Sequence, residues 1–282
     1  HAEMLNEGGG DKSRGNDGPE GTPYLANLRG IPAAVRYTLS EGRQRYRPAY
    51  SFFGFRYAGI TVSKPVTLRR IRSIPVTSIA KDIETGTIET GNADVNRLVS
   101  NIRWGMYSNY LSVPTDCPQR DERVGWTGDT LAFLEAALYN ADVLGFLSKW
   151  MGDVRDSQFP DGAFRSVAPV GRCGRCKGMS GWADAGIAVP YRLWKRYGEI
   201  GVVHENWPAM VRYLDCLEKN GGHLTNRCGD WLSFEKNDET TKKLLADAFW
   251  TADTRMMAEM AAALGKSSAP ERYRRQAQKL LE

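Results

Sequence analysis

Long apolar runs are missing from this sequence. No stretch approaches the roughly 20 consecutive apolar residues that cross a bilayer, and no charged-then-apolar signal segment begins at His1. A one-sided charge distribution is missing as well. The net charge of +5 comes from Lys and Arg spread along the chain, without a basic stripe interleaved with aromatic residues. We therefore expect neither a membrane nor a nucleic acid as partner, and we expect a cytoplasmic protein, or a secreted one if an export signal precedes His1.

Cysteine and histidine are scarce, with five and three residues. An odd number of irregularly spaced cysteines does not indicate a disulfide framework, so reduced thiols are expected. Cys173 and Cys176 form the one CxxC, which could be half a zinc site, a redox pair, or incidental thiols in a loop insertion. His204, His223 and Cys228 stand at no recognisable ligand spacing, so we expect no metal and no cofactor. No nucleophile elbow occurs either, which disfavours a Ser/His/Asp or Cys/His hydrolase.

One stretch, Pro114 to Asp129, concentrates chemistry in the sequence PTDCPQRDERVGWTGD. Its prolines and glycines predict an ordered loop between two helices. The charged and indole side chains in it are Asp116, Arg120, Asp121, Glu122, Arg123, Trp126 and Asp129. Carboxylates and guanidinium groups can bind neighbouring hydroxyls of a sugar, and an indole can cover the apolar face of its ring. A salt-bridged loop without chemistry is the alternative that composition leaves open.

Glu122 is the candidate general acid of this loop. The neighbouring carboxylates Asp116, Asp121 and Asp129 would disfavour its ionised form and raise its pKa. Arg120 and Arg123 act in the opposite direction, and we expect Arg123 to brace a neighbouring carboxylate.

The periodicity of the chain changes near residue 90. From Ala33 to Thr77, β-branched or aromatic residues alternate with polar ones, which predicts short antiparallel strands at the end of a β-sandwich. After Gly91 the period is helical, and seven helices are predicted. They begin at Asn92 or Asp94, near Leu131, at Asp142, near Trp182, before Trp207, near Thr240 and near Pro270. We therefore expect a mainly α protein with two domains, residues 1–88 and 89–282.

The loops between these helices alternate in length. If successive helices run antiparallel, the three long loops emerge at one end and the short turns near Asn140, Gly198 and Gly265 at the other. Long loops rich in acids, arginines and tryptophans on one rim predict a binding cleft there. Trp126, Trp182 and Trp231 lie on that rim and are candidate sugar platforms. The tryptophans at helical spacing, which we expect in the core, are Trp104, Trp150, Trp194, Trp207 and Trp250.

PTDCPQRDERVGWTGD resembles the signature loop of the bacterial α-L-rhamnosidases of glycoside hydrolase family 78. The segments NLRG and FFGFRYAGITV before it, and FLSKWMGDVRDSQFPDGAF, GWADA, YRLWKRYG and GDWL after it, follow the order of that family. The resemblance implies a partial (α/α)6 toroid and the inverting hydrolysis of terminal α-L-rhamnosyl bonds. It implies that Glu122 donates the proton. The sugar-binding positions that it implies are Asp116, Arg120, Asp121, Trp126, Asp129, Trp182 and, less securely, Trp231.

The resemblance also implies a second carboxylate, the general base, on a glutamate well downstream of the sixth helix. Glu235, Asp238 and Glu239 do not match that motif, so we expect the base outside these residues and the isolated chain to be an inactive internal fragment. The expected substrates are plant glycosides or rhamnose-containing oligosaccharides. A carbohydrate-binding or structural helical domain without catalysis is the alternative function, and another toroid glycosidase is a third.

Overall fold

A computed structural model describes residues 4–6, 18–171, 176–224, 228–235 and 237–281. The chain forms two compact units. Unit 1 contains residues 1–76 together with residues 117–123, and unit 2 contains residues 77–116 and 124–282. The division between the units falls at residue 76, and it assigns the middle of the Pro114–Asp129 loop to the first unit. The domain boundary at residue 88 stays a prediction.

Unit 2 is helical, as predicted. Its helices are α1 (Ala93–Asn109), α2 (Thr127–Asn140), α3 (Leu144–Asp156), α4 (Ala185–Tyr197), α5 (Gly201–Lys219), α6 (Glu239–Ala263) and α7 (Ala269–Lys279). The Asn92 side chain accepts hydrogen bonds from Asp94 and Val95 and so caps α1, which confirms one of the two predicted caps. Asp142 accepts a hydrogen bond from the Leu144 backbone amide at the start of α3. Gly265 has a φ of 67° just beyond α6, where a left-handed residue ends the helix.

The helices of unit 2 pack in two layers. Helices α2, α4 and α6 contact one another in series, while α3 contacts α5 and also packs on α4. The first turns of α4 are buried on all sides, from Ala185 to Pro190, as a helix between neighbours must be. Trp150 and Tyr213 are among the largest fully buried side chains, and each such burial contributes about 1.5–3 kcal/mol. The three long loops join α1 to α2, α3 to α4, and α5 to α6.

A short hairpin stands at the start of the first long loop. Strands β3 (Tyr110–Leu111) and β4 (Val113–Pro114) pair antiparallel, with Ser112 between them at a φ of 66°. The hairpin begins where α1 ends and leads directly into Asp116. The loop is therefore ordered at its entrance, as the prolines and glycines predicted.

Unit 1 contains little regular structure in its described residues. Strands β1 (Met4–Leu5) and β2 (Pro23–Tyr24) pair antiparallel and lead into a 3-10 turn at Ala26–Leu28. No residue between 31 and 76 lies in a strand, which differs from the strands predicted from Ala33 to Thr77 as part of a β-sandwich. A strand needs a neighbour to receive its backbone hydrogen bonds, and no strand of the described residues pairs with this segment.

Helix α1 differs from its prediction in burial. Val95, Leu98 and Met106 lie at helical spacing, which predicts one buried face, but only Met106 of these three is buried and Val95 and Leu98 are exposed. Trp104, predicted in the core, is 53% exposed and lies edge-on to Tyr107. Trp150 is fully buried as predicted, and Trp194, Trp207 and Trp250 pack against the core. Among the described helices, none has both the length and the apolar character that a membrane crossing requires.

Candidate active site

Glu122 lies between two guanidinium groups of unit 1. Its Oε2 atom accepts a hydrogen bond from Nη1 of Arg29 at 3.0 Å and another from Nε of Arg120 at 3.2 Å. Asp121 Oδ1 lies 3.8 Å from the same Nη1 atom of Arg29. The side chain of Glu122 is 18% exposed, whereas that of Asp121 is 43% exposed. The structure thus brings the predicted Arg120, Asp121 and Glu122 together and adds Arg29, which the sequence interpretation missed.

Two further contacts hold the 117–123 segment within unit 1. The amide of Gly54 donates to the carbonyl oxygen of Pro118 at 3.2 Å, and a Cβ on Gly54 would lie 2.8 Å from Pro118. Only a residue without a side chain allows this approach. The guanidinium of Arg123 lies 5.2 Å from the ring centre of Phe52 and donates to the Phe52 carbonyl. Burial lowers the pKa of Arg123 from its usual value. The prediction that Arg123 braces a carboxylate is not confirmed, because the contacts seen for it are with Phe52.

Asp116 joins the two ends of this segment within unit 2. Its Oδ1 atom accepts a hydrogen bond from the amide of Val124 at 3.0 Å, and its own amide donates to the carbonyl of Val124 at 3.1 Å. The Val124 carbonyl also accepts from the amide of Trp126. Asp116 therefore has a structural role in closing the loop, one of the two roles that the sequence left open for it.

The end of the first long loop pairs with the second long loop. The amide of Ala168 donates to the Gly125 carbonyl at 2.9 Å, and the amide of Thr127 donates to Ser166 at 2.9 Å. The Trp150 indole donates to the Ala168 carbonyl at 3.0 Å, and a Cβ on Gly125 would collide with that carbonyl. These contacts confirm that the two loops emerge at the same end of the helices.

Trp182 lies against the first turn of α2. A Cβ on Gly128 would lie 2.6 Å from its indole, so the missing side chain at Gly128 makes the space that the ring occupies. Asp129, the next residue, is exposed in the same turn, where the positive end of the helix dipole favours a carboxylate. Trp182, one predicted sugar-binding residue, thus lies against the residue that precedes Asp129, another one.

The other two predicted platforms differ in exposure. Trp126 is half-buried and forms an isolated β-bridge with Val167 at the start of α2. Trp231 is 62% exposed on the loop before α6. Exposed indoles on ordered rims are available to a ligand. Of the two CxxC cysteines, Cys173 lies outside the described residues and Cys176 is a half-buried free thiol, so the zinc, redox and incidental-thiol interpretations stay untested.

A buried acid pair lies between α4, α5 and α6, and the sequence interpretation missed it. Asp184 accepts hydrogen bonds from the amide of Gly181 at 2.6 Å and the hydroxyl of Tyr213 at 3.1 Å. Asp253 is fully buried, and no other group of the described residues donates a hydrogen bond to its oxygens. A hydrogen bond between Asp253 and Asp184 therefore requires a proton on one of the two carboxyl groups. Burial raises the pKa of Asp184, and burial with the charge of Asp184 raises the pKa of Asp253 well above its usual value. The pair therefore holds a proton at pH values where ordinary carboxyl groups have lost it.

The comparisons with known proteins agree on one family. The model of the bacterial alpha-L-rhamnosidase 6 hairpin glycosidase domain matches residues 83–282. An alpha-L-rhamnosidase of Streptomyces avermitilis is 42% identical over 277 residues, which are 96% of this chain and 25% of that protein. One of Formosa agariphila is 33% identical, over 90% of this chain and 28% of that protein. The chain thus spans about a quarter of the length of these relatives.

Solved structures give the same result. The structure of the Streptomyces avermitilis alpha-L-rhamnosidase complexed with L-rhamnose superimposes with a TM-score of 0.81 at 38% identity, covering 94% of this chain and 26% of that one. The structure of a Dictyoglumus thermophilum alpha-L-rhamnosidase superimposes with a TM-score of 0.65 at 31% identity, over 70% of this chain and 23% of that one. The seven helices are therefore part of an (α/α)6 toroid, and the chain belongs to the bacterial α-L-rhamnosidases with a six-hairpin glycosidase domain.

Proposed function

We propose that the gene product containing this chain removes terminal α-L-rhamnosyl residues from α-L-rhamnosides with inversion, and that Glu122 is its general acid. Family membership supports the reaction class. The substrates proposed are plant glycosides and rhamnose-containing oligosaccharides, because the signature loop matches that of enzymes that hydrolyse terminal rhamnose.

The position of Glu122 carries the assignment of the acid. Its carboxyl group is largely buried, and its Oε2 atom lies between the guanidinium groups of Arg29 and Arg120. A general acid must keep one orientation relative to the glycosidic oxygen, and two contacts to the same oxygen fix the plane of the carboxyl group. Asp121, by contrast, is exposed and lies at 3.8 Å from its cation.

The remaining signature residues are proposed to bind the terminal sugar. Charged groups bind vicinal hydroxyls through paired hydrogen bonds, and indoles cover the apolar ring face. The residues proposed for these two roles are Asp116, Arg120, Asp121 and Asp129 for the hydroxyls, and Trp126, Trp182 and Trp231 for the ring.

An inverting reaction also needs a carboxylate that activates water on the opposite face of the sugar, roughly 6.5–9.5 Å from the acid. Asp238 does not take that role in our proposal, because its carboxylate caps α6 by accepting from the amide of Thr241 at 2.8 Å. The hydrogen bond from the Thr241 amide lowers the pKa of Asp238, which makes it a weaker base.

The test of the proposal is Glu122→Gln in the native gene product. The amide cannot donate the catalytic proton, so kcat on an unactivated rhamnoside should fall by about 10² or more. Glu89→Gln, which changes an exposed carboxyl group elsewhere, should not alter it. The first anomer of rhamnose released, followed by NMR, should be of opposite configuration to the substrate.

Turnover of Glu122→Gln near that of the unchanged protein would contradict the assignment of the acid. Binding of L-rhamnose without turnover in the unchanged gene product would instead support the carbohydrate-binding alternative.

A further inference from the structure

Arg29 stands on a locally built support rather than on a loose loop. The β1–β2 pair leads to Tyr24 and then to the 3-10 turn, in which Asn27 and Leu28 are buried. Leu28 and Arg29 donate their amides to Leu25 and to the first residue of the turn. The direction of the Arg29 side chain is therefore set by a folded turn with two buried anchors.

The backbone of Arg29 is unusual. Its φ is 61° and its ψ is −110°, a combination that residues with a Cβ rarely adopt. Such a conformation costs on the order of 1–3 kcal/mol and persists when surrounding contacts impose it. Gly30, the next residue, lies beside the other acid of the loop, since a Cβ on it would be 3.8 Å from Asp121. The conformation of the turn thus directs Arg29 towards Asp121 and Glu122.

The side chain of Arg29 contacts both acids of the loop. Its Nη1 atom is 3.0 Å from Glu122 and 3.8 Å from Asp121. Arg120 contacts the same oxygen of Glu122 but is separated from it by only two residues, so it moves with the loop. Arg29 is 93 residues away in sequence, so its contact ties Glu122 to a part of unit 1 outside the loop.

We propose that Arg29 is a positioning residue that fixes the carboxyl group of the general acid. The inference rests on the proposed role of Glu122. Arg29 acts through Glu122 and transfers no proton itself. A guanidinium is suited to this role because it is planar, always charged and able to hold an oxygen in a fixed direction. Without Arg29, the Glu122 carboxyl group would lose this contact from outside the loop, while Gly54 and Phe52 would still hold the 117–123 segment at Pro118 and Arg123.

The test uses the leaving group of the substrate to separate proton donation from all other losses. A rhamnoside with a poor alcohol leaving group needs the general acid, whereas an aryl rhamnoside with an acidic phenol needs it little. Arg29→Gln, Arg29→Lys, Glu122→Gln and the double variant Arg29→Gln/Glu122→Gln are measured on both substrates in the native gene product. Arg69→Gln, which removes an exposed charge from the same unit, is the matched control.

We expect Arg29→Gln to lower kcat about tenfold on the poor leaving group and less than about twofold on the aryl substrate, with KM unchanged. Arg29→Lys should recover part of the loss, and Arg69→Gln should lose nothing. In the double variant, the loss of kcat should equal that of Glu122→Gln alone, because Arg29 has no acid left to position.

Equal losses of Arg29→Gln on both substrates, or a loss that adds to that of Glu122→Gln, would overturn the inference. If Glu122→Gln is impaired and Arg29→Gln is not, the inference alone fails. If Glu122→Gln is not impaired, the proposed acid fails and the inference with it. If Arg29→Gln does not fold, the leaving-group dependence of Arg29→Lys decides, since an even loss on both substrates would contradict positioning.

Discussion

Two sites of the protein contain neighbouring carboxyl groups, and the repulsion between them is reduced in opposite ways. Asp121 and Glu122 lie beside arginines, and Arg29 contacts both acids. Asp184 and Asp253 are fully buried, with a tyrosine hydroxyl and a backbone amide as donors. The first site compensates charge with charge, and the second removes charge by holding a proton.

The difference concerns what each site can tolerate. Replacing a partly exposed acid that has cations nearby should leave the protein folded, because water can replace the lost contacts. Water cannot reach a buried pair of carboxyl groups, so removing one hydrogen-bond partner leaves another buried polar group without a hydrogen bond. Changes at the first site should therefore appear in turnover, and changes at the second should appear in stability.

The largest expected effect on stability tests this contrast at Asp184. Asp184→Ala should lower the free energy of unfolding by about 2–4 kcal/mol, because the Tyr213 hydroxyl and the Gly181 amide are left buried without an acceptor. Asp184→Asn, which keeps an acceptor oxygen, should cost less. Chemical denaturation measures both. An Asp184→Ala protein as stable as the unchanged one would contradict the expectation that changes at the buried pair lower stability.

Three residues proposed to bind the sugar should affect affinity for rhamnose and differ in their effect on stability. Asp129→Ala should weaken binding of L-rhamnose by about 1.5–3 kcal/mol. It should lower the melting temperature only slightly, because Asp129 is exposed and its interaction with the helix dipole contributes about 0.3–1 kcal/mol. Asp116→Ala should weaken binding and also lower the melting temperature, because the amide of Val124 loses its acceptor. Trp182→Ala should weaken binding while the helices stay folded. Calorimetric titration and thermal melts decide, and unchanged affinity in all three variants would contradict the proposed sugar site.

The smallest expected effect is a slope in the pH dependence of stability. Asp253 has a raised pKa, so above its ordinary value of 3.8 the folded form keeps a proton that the unfolded form has released. The free energy of unfolding contributed by the pair therefore falls as pH rises from about 4 towards the raised pKa, by at most about 1.4 kcal/mol per pH unit and proton. Asp253→Asn needs no proton to donate to Asp184, so its stability should fall less over the same range.

Denaturation of Asp253→Asn and of the unchanged protein at several pH values gives the two slopes. Parallel curves would show that the pair does not hold a proton in the folded state. Glu259→Gln is a suitable control, because this carboxylate on the same helix is exposed and lies beside Lys195.

Helix positions and most of the core could be predicted from the sequence. Apolar residues at helical spacing, such as Val143, Leu147 and Val154, are buried as the period required. The loop lengths, which give one rim most of the acids and tryptophans, were also readable. These features depend on local periodicity, which a single sequence carries.

Features that depend on distant partners could not be predicted. Trp104 lies at a helical spacing that resembles a core position, but its burial depends on what packs on α1. Alternation from Ala33 to Thr77 indicates strands, yet the ladder depends on neighbouring strands. Arg29 was within a quoted segment, NLRG, but its distance to Glu122 and its positive φ leave no mark in the sequence. Asp184 had a weak signal, an acid directly before an apolar run.

The reciprocal hydrogen bonds between Asp116 and Val124 have a consequence for chain length. They close a loop of seven residues, and closing a loop costs entropy that grows only slowly, by about 0.6 kcal/mol for each doubling of length. Inserting or deleting one residue between Cys117 and Arg123 would therefore scarcely change the closure. It would, however, shift Glu122 by one position, about 3.3–3.6 Å of extended chain, away from the oxygen position that Arg29 and Arg120 share. The number of residues between the two clamped ends therefore helps to set where the acid lies, together with the contacts of Pro118, Arg120 and Arg123.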